Sequence, residues 1–295
     1  MSFTIVTVLH ESEGPVAGLL ASLRRHLPEA PQLVVVDAAS TDGGPELARA
    51  HGAEVVALGA NPGFGAACNA GLELAREPVS VLLNPDCELL DGSLARLAAR
   101  AAGEPEALWA PRLLDPDGTV QRSAHPLPGT PEGLISAFLH PRLLPRALRE
   151  RCEPHRAERP RAVGWFIAAC VAARTGTLRR LGPFDPSQFL FYEDMDLCLR
   201  ARAAGIPSVL DPSLALRHLG GHATRPAYGG EPHELLARRR RSVVAGNLGA
   251  RARTLDDAAQ ALTFATRSLA RAALGRDGAR ERAQLAAVRR ARRAA

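Results

Sequence analysis

The amino-acid sequence predicts an α/β fold in which helices flank a mostly parallel central sheet. The first hundred residues alternate short apolar segments with helical patterns, which is the order of strands joined by crossover helices. The chain has 295 residues, of which 46% are hydrophobic. It is therefore long enough and apolar enough to bury the core of one large domain with an appendage.

The first four predicted strands each precede a helix. The predicted strands are Thr4–Leu9, Gln32–Asp37, Glu54–Ala57 and Val79–Leu83, and the helices lie near 14–26, 45–51, 65–76 and 93–102. Ligands of such sheets gather at the carboxyl ends of the strands. Asp37 and Asp86 both lie at strand ends, which makes them candidate ligand-binding residues.

The middle of the chain changes character, because residues 105–160 hold ten of the 23 prolines. This composition predicts a loop-rich insertion with short helices. Beyond it, the pattern predicts a strand over 165–172, a helix over 194–204 that ends at Gly205, and strands over 208–210 and 214–217.

The chain from about residue 232 has a helical and basic pattern. Residues 232–295 carry 15 arginines and five acidic residues, a net charge of +10, whereas residues 1–231 sum to −4. We therefore divide the chain into a main domain, 1–231, and a basic helical C-terminal extension, 232–295. In the extension, Thr254 and Asp257 predict a helix start, and Leu255, Leu262 and Leu269 predict an apolar stripe.

The charge of the extension predicts contact with an anionic surface such as lipid. A solvated helix face, packing on the main domain and a homodimer contact are alternatives that the same residues allow. All 37 basic residues are arginine, which we interpret as a genomic coding bias. No nucleic-acid partner is therefore expected.

The five cysteines are odd in number and form no Cys-x-x-Cys pair, which predicts buried thiols in a reducing compartment. The first residues form a strand-like run without a basic leader, and no apolar run approaches the length of a membrane span. These features predict a cytoplasmic protein, either soluble or peripheral at the inner face of the cell membrane.

A pair of adjacent carboxylates, Glu193 and Asp194, follows an apolar aromatic run and precedes a helical pattern. Burial and mutual repulsion raise carboxylate pKa values, which suits a general base. Helix capping explains the same pair, and a helix start would instead lower the pKa. The sequence leaves this balance open.

The segment Asn84-Pro85-Asp86 follows a predicted buried strand. One or two carboxylates suffice to hold Mg²⁺ or Mn²⁺ when phosphates and water supply the other ligands. His218, at a predicted strand end, could complete the metal shell, and His222 is a weaker rival. A plain turn and a structural histidine are the alternatives.

Two further segments are candidates for nucleotide binding. Asp37 could accept a hydrogen bond from a uracil or thymine ring or from a ribose hydroxyl, although an Asp that caps a turn looks the same. The segment from Asn61 to Gly71 places small residues at a loop-to-helix junction, where backbone amides can approach a phosphate. A packing role for these glycines is an equal alternative.

Taken together, these segments resemble the inverting family 2 glycosyltransferases with the GT-A fold, and among them bacterial rhamnosyltransferase-like members. The resemblance covers roughly residues 3–220 and rests on seven elements that occur in the family's order. They are Val36-Asp37-Ala-Ala-Ser-Thr-Asp-Gly43, Asn61-Pro-Gly-Phe-Gly-Ala-Ala-Cys-Asn69-Ala-Gly71, Leu83-Asn-Pro-Asp86, Asp115-Pro-Asp-Gly118, Leu181-Gly-Pro-Phe-Asp185, Phe191-Tyr-Glu-Asp-Met-Asp-Leu-Cys-Leu-Arg200 and His218.

The resemblance implies a Rossmann-like sheet and roles for several of the matching residues. Asp194 would be the general base, and Asp86 with His218 would hold a divalent cation, Mg²⁺ or Mn²⁺. Glu193 and Trp165 would contact the acceptor. The donor-binding residues would be Thr7, Asp37, Asn61, Gly63, Asn69, Asn84 and Asp86. Two positions depart from the family pattern, His10 and Ala38, and both touch the implied nucleotide pocket.

The implied reaction moves a sugar, with rhamnose as the example, from a nucleotide-diphosphate donor to a hydroxyl of a glycan or lipid-linked acceptor, with inversion. Two rivals are a nucleotidyltransferase and an inactive nucleotide-sugar binding module. The acidic segment Leu9-His-Glu-Ser-Glu-Gly14 argues against the first, which would carry a basic glycine-rich loop there. The presence of Asp86 and Asp194 argues against the second.

Overall fold

The structure is a computed structural model, and it describes residues 2–103, 105–139, 143–182, 184–186, 189–220 and 231–294. The described strands are β1 Thr4–Leu9, β2 Gln32–Asp37, β3 Glu54–Ala57, β4 Val79–Leu83, β5 Cys87–Leu89, β6 Leu108–Leu114, β7 Ala124–His125, β8 Arg161–Val163, β9 Trp165–Phe166, β10 Cys170–Arg174 and β11 Ser208–His218. The described helices are α1 Glu13–His26, α2 Gly44–Ala50, α3 Phe64–Glu73, α4 Ser93–Ala102, α5 Pro131–Phe138, α6 Arg146–Cys152, α7 Thr175–Leu181, α8 Glu193–Ala203, α9 His233–Ala273 and α10 Ala279–Arg293.

A mixed central sheet organises the fold in the order β3-β2-β1-β4-β10-β6-β11-β5, with β8 also paired to β11. Its first four strands are parallel, as the strand–helix alternation predicts. Beyond β4 the pairing is mixed, because β10 runs antiparallel to both of its neighbours. Strands β7 and β9 form a separate two-stranded sheet.

The sheet buries apolar residues on both faces. Val34 and Val36 belong to one buried cluster, and Val35 between them belongs to the other. This alternation follows from the two-residue period of a strand, whose successive side chains point to opposite faces. The parallel half of the sheet therefore needs helices on both faces, as predicted.

Strand β6 is missing from the sequence prediction, which places only loops and short helices over residues 105–160. It lies inside the sheet, between β10 and β11. The sequence does not indicate this strand because it contains Pro111, and a proline normally argues against an interior strand. The irregularity in β11 between Asp211 and Ala215 adjoins the partner of Pro111, so the sheet adapts around the missing N–H.

Two predicted strand boundaries are also wrong. The predicted strand 165–172 is two strands in different sheets, β9 and β10, separated by residues 167–169. The strands predicted at 208–210 and 214–217 are one strand, β11, which continues across its own irregularity. The break at 167–169 matters for the site described below.

The extension begins with a helical hairpin. Helix α9 contains a non-helical residue, Gly249, with φ 82° and ψ 177°. Arg240 contacts Asp256, sixteen residues later, at 2.7 Å. In a straight helix sixteen residues span about 24 Å, so α9 folds back on itself at Gly249.

The predicted helix start at Thr254 is wrong, because this residue lies within α9 and its hydroxyl donates to the Ala250 carbonyl. The predicted leucine stripe does not face the core either. Leu255 and Leu269 are exposed, whereas Asp256 and Ala259 are buried.

The first arm of α9 is joined to the main core, since Val243 and Val244 belong to the larger buried cluster. Packing on the main domain, one of the alternatives that the sequence leaves open, thus accounts for this arm. The domain boundary at residue 231 stays a prediction.

Candidate active site

The loop before α8 presents the two adjacent carboxylates. Phe191 and Tyr192 both adopt left-handed backbone conformations, with φ 75° and 65°. Such a conformation costs a bulky residue about 1–2 kcal/mol. Strain of this kind persists where the surroundings impose it, commonly at functional sites. It turns the chain sharply so that Glu193 and Asp194 begin the helix.

Asp194 accepts two backbone hydrogen bonds, from the Met195 N–H at 2.7 Å and from the Ala168 N–H at 3.4 Å. Burial raises the pKa of the Asp194 carboxyl, and these hydrogen bonds oppose the rise without cancelling it. Burial therefore outweighs the helix start, which answers the question that the sequence leaves open.

Glu193 is buried, and its Oε2 atom has no hydrogen-bond partner among the described residues. Burial raises the pKa of Glu193, and the charge of Asp194 raises it further. A neighbouring pair whose environments differ divides the roles of acid and base. The better-bonded Asp194 is the member that holds the negative charge, and Glu193 holds the proton.

The predicted metal ligands meet at the carboxyl end of β4. The Asp86 Oδ1 atom lies 3.3 Å from the His218 Nε2 atom, and both side chains are buried. The other Asp86 oxygen accepts the Gly220 N–H at 3.1 Å. Burial raises the pKa of Asp86, but its hydrogen bond to His218 and the His218 charge outweigh burial and hold the pKa below its usual value.

A hydrogen-bond chain fixes the orientation of His218. The Gln121 Nε2 atom lies 2.9 Å from an Asp115 carboxylate oxygen, and the Gln121 Oε1 atom lies 2.8 Å from His218 Nδ1. A carboxylate only accepts, so the amide N–H of Gln121 faces Asp115 and its oxygen faces the imidazole. His218 Nδ1 is then the donor to Gln121, and Nε2 faces Asp86, to which it donates when the imidazole is protonated and beside which it can bind a cation when it is not.

This chain gives the Asp115-Pro-Asp-Gly118 turn a role that the sequence does not reveal. Imidazole ligands of metals usually donate their second N–H to a fixed acceptor, which sets the tautomer. Gln121 is that acceptor and Asp115 orients it. Gln121 carries no motif of its own, so sequence reasoning misses it.

Cys87 lies in the same cluster, with its sulfur within 4.8 Å of the Asp86 and His218 ligand atoms. Its thiol donates to the Ala169 carbonyl at 3.3 Å. Burial raises the pKa of the Cys87 thiol well above its usual value, and the charges of Cys170 and Asp86 add to the rise. Cys87 is thus a protonated structural residue. His222, the rival metal ligand, lies outside the described residues.

The break at residues 167–169 connects the two halves of the site. The Ala168 N–H donates to Asp194, and the adjacent Ala169 carbonyl accepts the Asn84 N–H at 2.8 Å. The bond to Asn84 continues the pairing of β10 with β4, whereas the break before it leaves the Ala168 N–H free to donate to Asp194. One short segment therefore contacts both Asp194 and the Asn84-Pro85-Asp86 turn.

Two predicted donor-binding residues lie on adjacent parallel strands, Thr7 inside β1 and Asp37 at the end of β2. Thr7 is buried in β1 and its hydroxyl has no hydrogen-bond partner among the residues described. Asp37 ends β2 and accepts the Ser40 N–H at 2.9 Å, so it also shapes its own turn. The Asn84 Oδ1 atom is buried and unpartnered as well. Buried polar atoms without partners call for an explanation, and a bound ligand is one.

The other predicted donor-binding residues hold the loop together. The side chain of Asn61 accepts the Gly63 N–H at 2.9 Å, and the amide of Asn69 exchanges two hydrogen bonds with the Phe184 backbone. Gly63 has φ 91°, and a Cβ atom there would lie 2.2 Å from the Phe189 carbonyl oxygen. These contacts show a packing role, and a direct donor contact stays a prediction.

The indole of Trp165 is buried and stacks on His125, with ring centroids 4.1 Å apart. It also meets the Tyr192 ring edge-on at 6.0 Å. Its Nε1 atom has no partner among the described residues. Trp165 is therefore part of the core and at the same time adjoins the loop that carries Glu193 and Asp194.

Helix α9 supports this loop, which sequence reasoning misses because it treats the extension as an appendage. The Arg240 guanidinium lies 5.7 Å from the centre of the Tyr192 ring. The Asn247 amide donates to Asp196 of α8 at 2.8 Å.

The two positions that depart from the family pattern, His10 and Ala38, contact each other, since the His10 Nδ1 atom lies 2.9 Å from the Ala38 carbonyl oxygen.

The fold and the site together are those of a glycosyltransferase, and comparison with known proteins agrees. Residues 4–163 match the family model of Glycosyl transferase family 2. An N-acetylglucosaminyl-diphospho-decaprenol L-rhamnosyltransferase of Mycobacterium tuberculosis is 33% identical over 240 residues, which cover 74% of this chain and 76% of that protein. The chain belongs to glycosyl transferase family 2.

Solved structures share the fold at low sequence identity. The mannosyltransferase PcManGT from Pyrobaculum calidifontis, in complex with GDP-Man and Mn²⁺, aligns with a TM-score of 0.61 and 15% identity over 99% of this chain and 86% of that one. GalNAc-T7 with UDP, GalNAc and Mn²⁺ aligns with a TM-score of 0.59 and 18% identity over 82% of this chain and 48% of that one. The GT-A fold expected from the sequence is confirmed.

Two further predictions concern the cysteines and membrane-spanning helices. All five cysteines are free and buried, as predicted. Among the residues that the structure describes, no helix combines the length and the apolar character needed to cross a membrane. The family assignment also decides against the nucleotidyltransferase rival.

Proposed function

We propose that this chain is an inverting glycosyltransferase that moves rhamnose from a nucleotide-diphosphate donor to a hydroxyl of a lipid-linked sugar. The observation that carries the proposal is the 167–169 segment, which joins the half-buried Asp194 carboxylate to the Asn84-Pro85-Asp86 turn. The rhamnosyl group and the lipid-diphosphate acceptor are supported by the activity named for the mycobacterial relative.

Asp194 acts on the acceptor in this proposal. Its carboxylate takes the proton of the acceptor hydroxyl while that oxygen attacks the anomeric carbon from the face opposite the leaving nucleotide. Burial suits this step, since it raises the pKa of Asp194 toward the operating pH. Glu193, which holds its proton, donates a hydrogen bond to the acceptor and keeps it in place.

Asp86 and His218 would hold a divalent cation, Mg²⁺ or Mn²⁺, and the geometry fits one. Asp86 offers Oδ1, and His218 offers Nε2 in the tautomer that Gln121 imposes. When bound, the cation neutralises the charge that develops on the departing diphosphate. Thr7, Asp37 and Asn84 lie along the same edge of the sheet and bind the base, the ribose and the sugar of the donor.

The experiment that tests this function is a donor screen with the full-length chain. Nucleotide-diphosphate sugars that include thymidine and uridine rhamnose donors are incubated with N-acetylglucosaminyl-diphospho-prenol, with and without Mn²⁺. A product heavier by one deoxyhexose is expected with a rhamnose donor. Release of inorganic pyrophosphate, or no product from any donor, would contradict the proposal.

Substitution Gln121→Leu should weaken metal binding, because His218 loses the acceptor that sets its tautomer. Loss of such an outer partner typically lowers metal affinity by about 10–100-fold. The dissociation constant of Mn²⁺, measured by electron paramagnetic resonance, checks this. Gln284→Leu on α10 is the matched control and should bind Mn²⁺ as the wild type does. Equal affinity in both variants would remove Gln121 from the site.

We further propose that a patch formed by α5 and the second arm of α9 contacts an anionic membrane. Phe138 and Leu269 are 66% and 70% exposed, and the Thr266 hydroxyl donates to the Ala137 carbonyl between them. Arg267 and Arg271 flank Leu269 in the sequence of α9, and basic apolar surfaces bind anionic lipid. Such contact would bring the protein to the inner face of the membrane, where its acceptor is anchored.

The double substitution Phe138→Ser and Leu269→Ser should reduce co-sedimentation with phosphatidylglycerol vesicles, because it removes apolar area from the lipid interface. The wild type should bind these vesicles and leave phosphatidylcholine vesicles unbound. Val120→Thr, at another partly exposed apolar residue, is the control. Undiminished sedimentation of the double variant would contradict the membrane contact.

A further inference from the structure

A cavity of about 250 Å³ lies beside the carboxylate loop, between the chain around residues 122–129 and the second arm of α9. Trp165 and Tyr192 form part of its wall. Tyr192 immediately precedes Glu193, and Trp165 precedes the segment that bonds to Asp194. A molecule that entered this cavity would therefore reach the neighbourhood of the carboxylate pair.

Three arginines line the cavity, Arg122, Arg240 and Arg267. Arg240 is neutralised, because it contacts both oxygens of Asp256 at 2.8 and 2.7 Å. Arg122 and Arg267 form no ion pair and no side-chain hydrogen bond within the described ranges. Two arginines without an ion pair among the described residues therefore line one small cavity.

The charges around Arg122 also favour an anion in this cavity. Arg122 as a residue is exposed, but the partial burial of its guanidinium lowers the pKa, and the nearby charges of Arg267 and Arg240 lower it further. Glu153 attracts Arg122 and offsets part of this repulsion, but Glu153 is paired with Arg156 at 3.1 Å. Like charges held together in this way favour an anion between them.

One further group of the wall is a donor without a partner, and the charged acceptor is already engaged. The buried indole Nε1 of Trp165 has no partner among the described residues. The Asp256 carboxylate is already engaged by Arg240 and by the Gln260 amide. His125 carries no charge to repel or attract, since burial and the Arg122 charge lower its pKa well below the usual value. The free hydrogen-bonding capacity of the wall thus suits an oxyanion.

We propose that this cavity binds the diphosphate of the acceptor through Arg122 and Arg267, with the Trp165 N–H as a third donor. This inference rests on the proposed function, which supplies a diphosphate-linked acceptor. A diphosphate held here lies on the acceptor side of the site, next to the Glu193-Asp194 loop. The donor diphosphate is assigned to Asp86, which does not line the cavity, and is the alternative source of the same chemistry.

The binding test needs no catalysis. Inorganic pyrophosphate is titrated into the full chain by calorimetry with EDTA present, so that no cation supports binding at Asp86. The wild type should bind, and Arg122→Gln and Arg267→Gln should each raise Kd by about tenfold or more. Arg276→Gln, an exposed arginine between α9 and α10, removes the same charge and should change nothing. No binding by the wild type, or equal binding by all variants, would overturn the proposal.

Thermal unfolding separates a binding role from a structural one. Because Arg122 repels Arg267 and has no ion-pair partner, Arg122→Gln should leave the Tm of the ligand-free protein unchanged or raise it. A clear fall in Tm together with weaker pyrophosphate binding would assign Arg122 a structural role instead.

Kinetics then distinguish the two sources of diphosphate. With N-acetylglucosaminyl-diphospho-prenol as acceptor, both variants should raise the acceptor KM by about tenfold and leave the donor KM unchanged. With a neutral alkyl glycoside of the same sugar, the variants should match the wild type. A rise confined to the donor KM would place the donor diphosphate in the cavity and overturn the proposal. Transfer to neither acceptor, with pyrophosphate binding still lost in the variants, would sink the proposed function and leave the anion site standing.

Discussion

Asp194→Asn should abolish transfer while the protein stays folded. A positioned general base contributes about 10²–10⁴-fold to rate, so kcat should fall by that factor with little change in either KM. Asparagine keeps the shape of the side chain, and its single oxygen can still accept the 2.7 Å hydrogen bond from the Met195 N–H, while only the longer 3.4 Å bond from the Ala168 N–H is lost. The measurement is the initial rate of product formation, followed by mass spectrometry.

The matched control is Glu193→Gln, at the adjacent position. Glu193 holds its proton because burial and the Asp194 charge raise its pKa. A neutral amide can replace a protonated carboxyl as a hydrogen-bond donor, so this variant should keep much more activity than Asp194→Asn. Wild-type turnover by Asp194→Asn would show that Asp194 is not the base. A larger loss of activity from Glu193→Gln than from Asp194→Asn would assign the base to Glu193 instead.

The pH dependence of kcat/KM should also reflect the ionisation of Asp194. The base must be ionised, and burial raises its pKa. The wild-type kcat/KM should therefore fall as pH is lowered through a value above the 3.9 or so typical of aspartate. A raised folded pKa also means that ionised Asp194 destabilises the folded state at higher pH. Asp194→Asn should thus have an equal or higher Tm at neutral pH, and the advantage should vanish in acid.

Asp86→Asn should produce the second large loss, through the cation. Removing the charge leaves His218 without its anionic partner for Mg²⁺ or Mn²⁺, and the stabilisation lost at the leaving diphosphate corresponds to about 100-fold or more in kcat. Asparagine can still accept the Gly220 N–H that anchors the end of β11. The metal dependence of the rate and the Mn²⁺ dissociation constant are both measured.

The control for Asp86→Asn is Asp277→Asn, an exposed acid between α9 and α10 that should leave both quantities unchanged. Full activity of the wild type after exhaustive chelation would remove the cation from the mechanism. Normal Mn²⁺ affinity in Asp86→Asn would remove Asp86 from the metal shell.

The sequence predicts the parallel half of the fold because each strand is short, apolar and followed by a helix. It does not predict β6, since Pro111 disguises a strand whose partner adapts around it. It also misses the hairpin at Gly249, because a glycine inside a helical pattern does not reveal that Arg240 and Asp256 are paired. Both β6 and the hairpin depend on contacts between residues that are far apart in the sequence.

The candidate site also contains residues that the sequence predicts and residues that only the structure reveals. The sequence singles out Asp86, Asp194 and His218 as candidates because each lies at or within three residues of the end or start of an element with a clear pattern. Gln121 cannot, since its role depends on Asp115 and His218 meeting it in space. The balance of the Asp194 pKa also needs the structure, because burial and the helix start act in opposite directions.

The anomeric configuration of the product tests the central claim most directly. The wild-type chain is given a rhamnose donor and the diphosphate-linked acceptor, and the new linkage is determined by nuclear magnetic resonance. Direct displacement assisted by Asp194 predicts a configuration opposite to that of the donor. A product that retains the donor configuration would contradict the assignment of Asp194 as the base of a single inverting step.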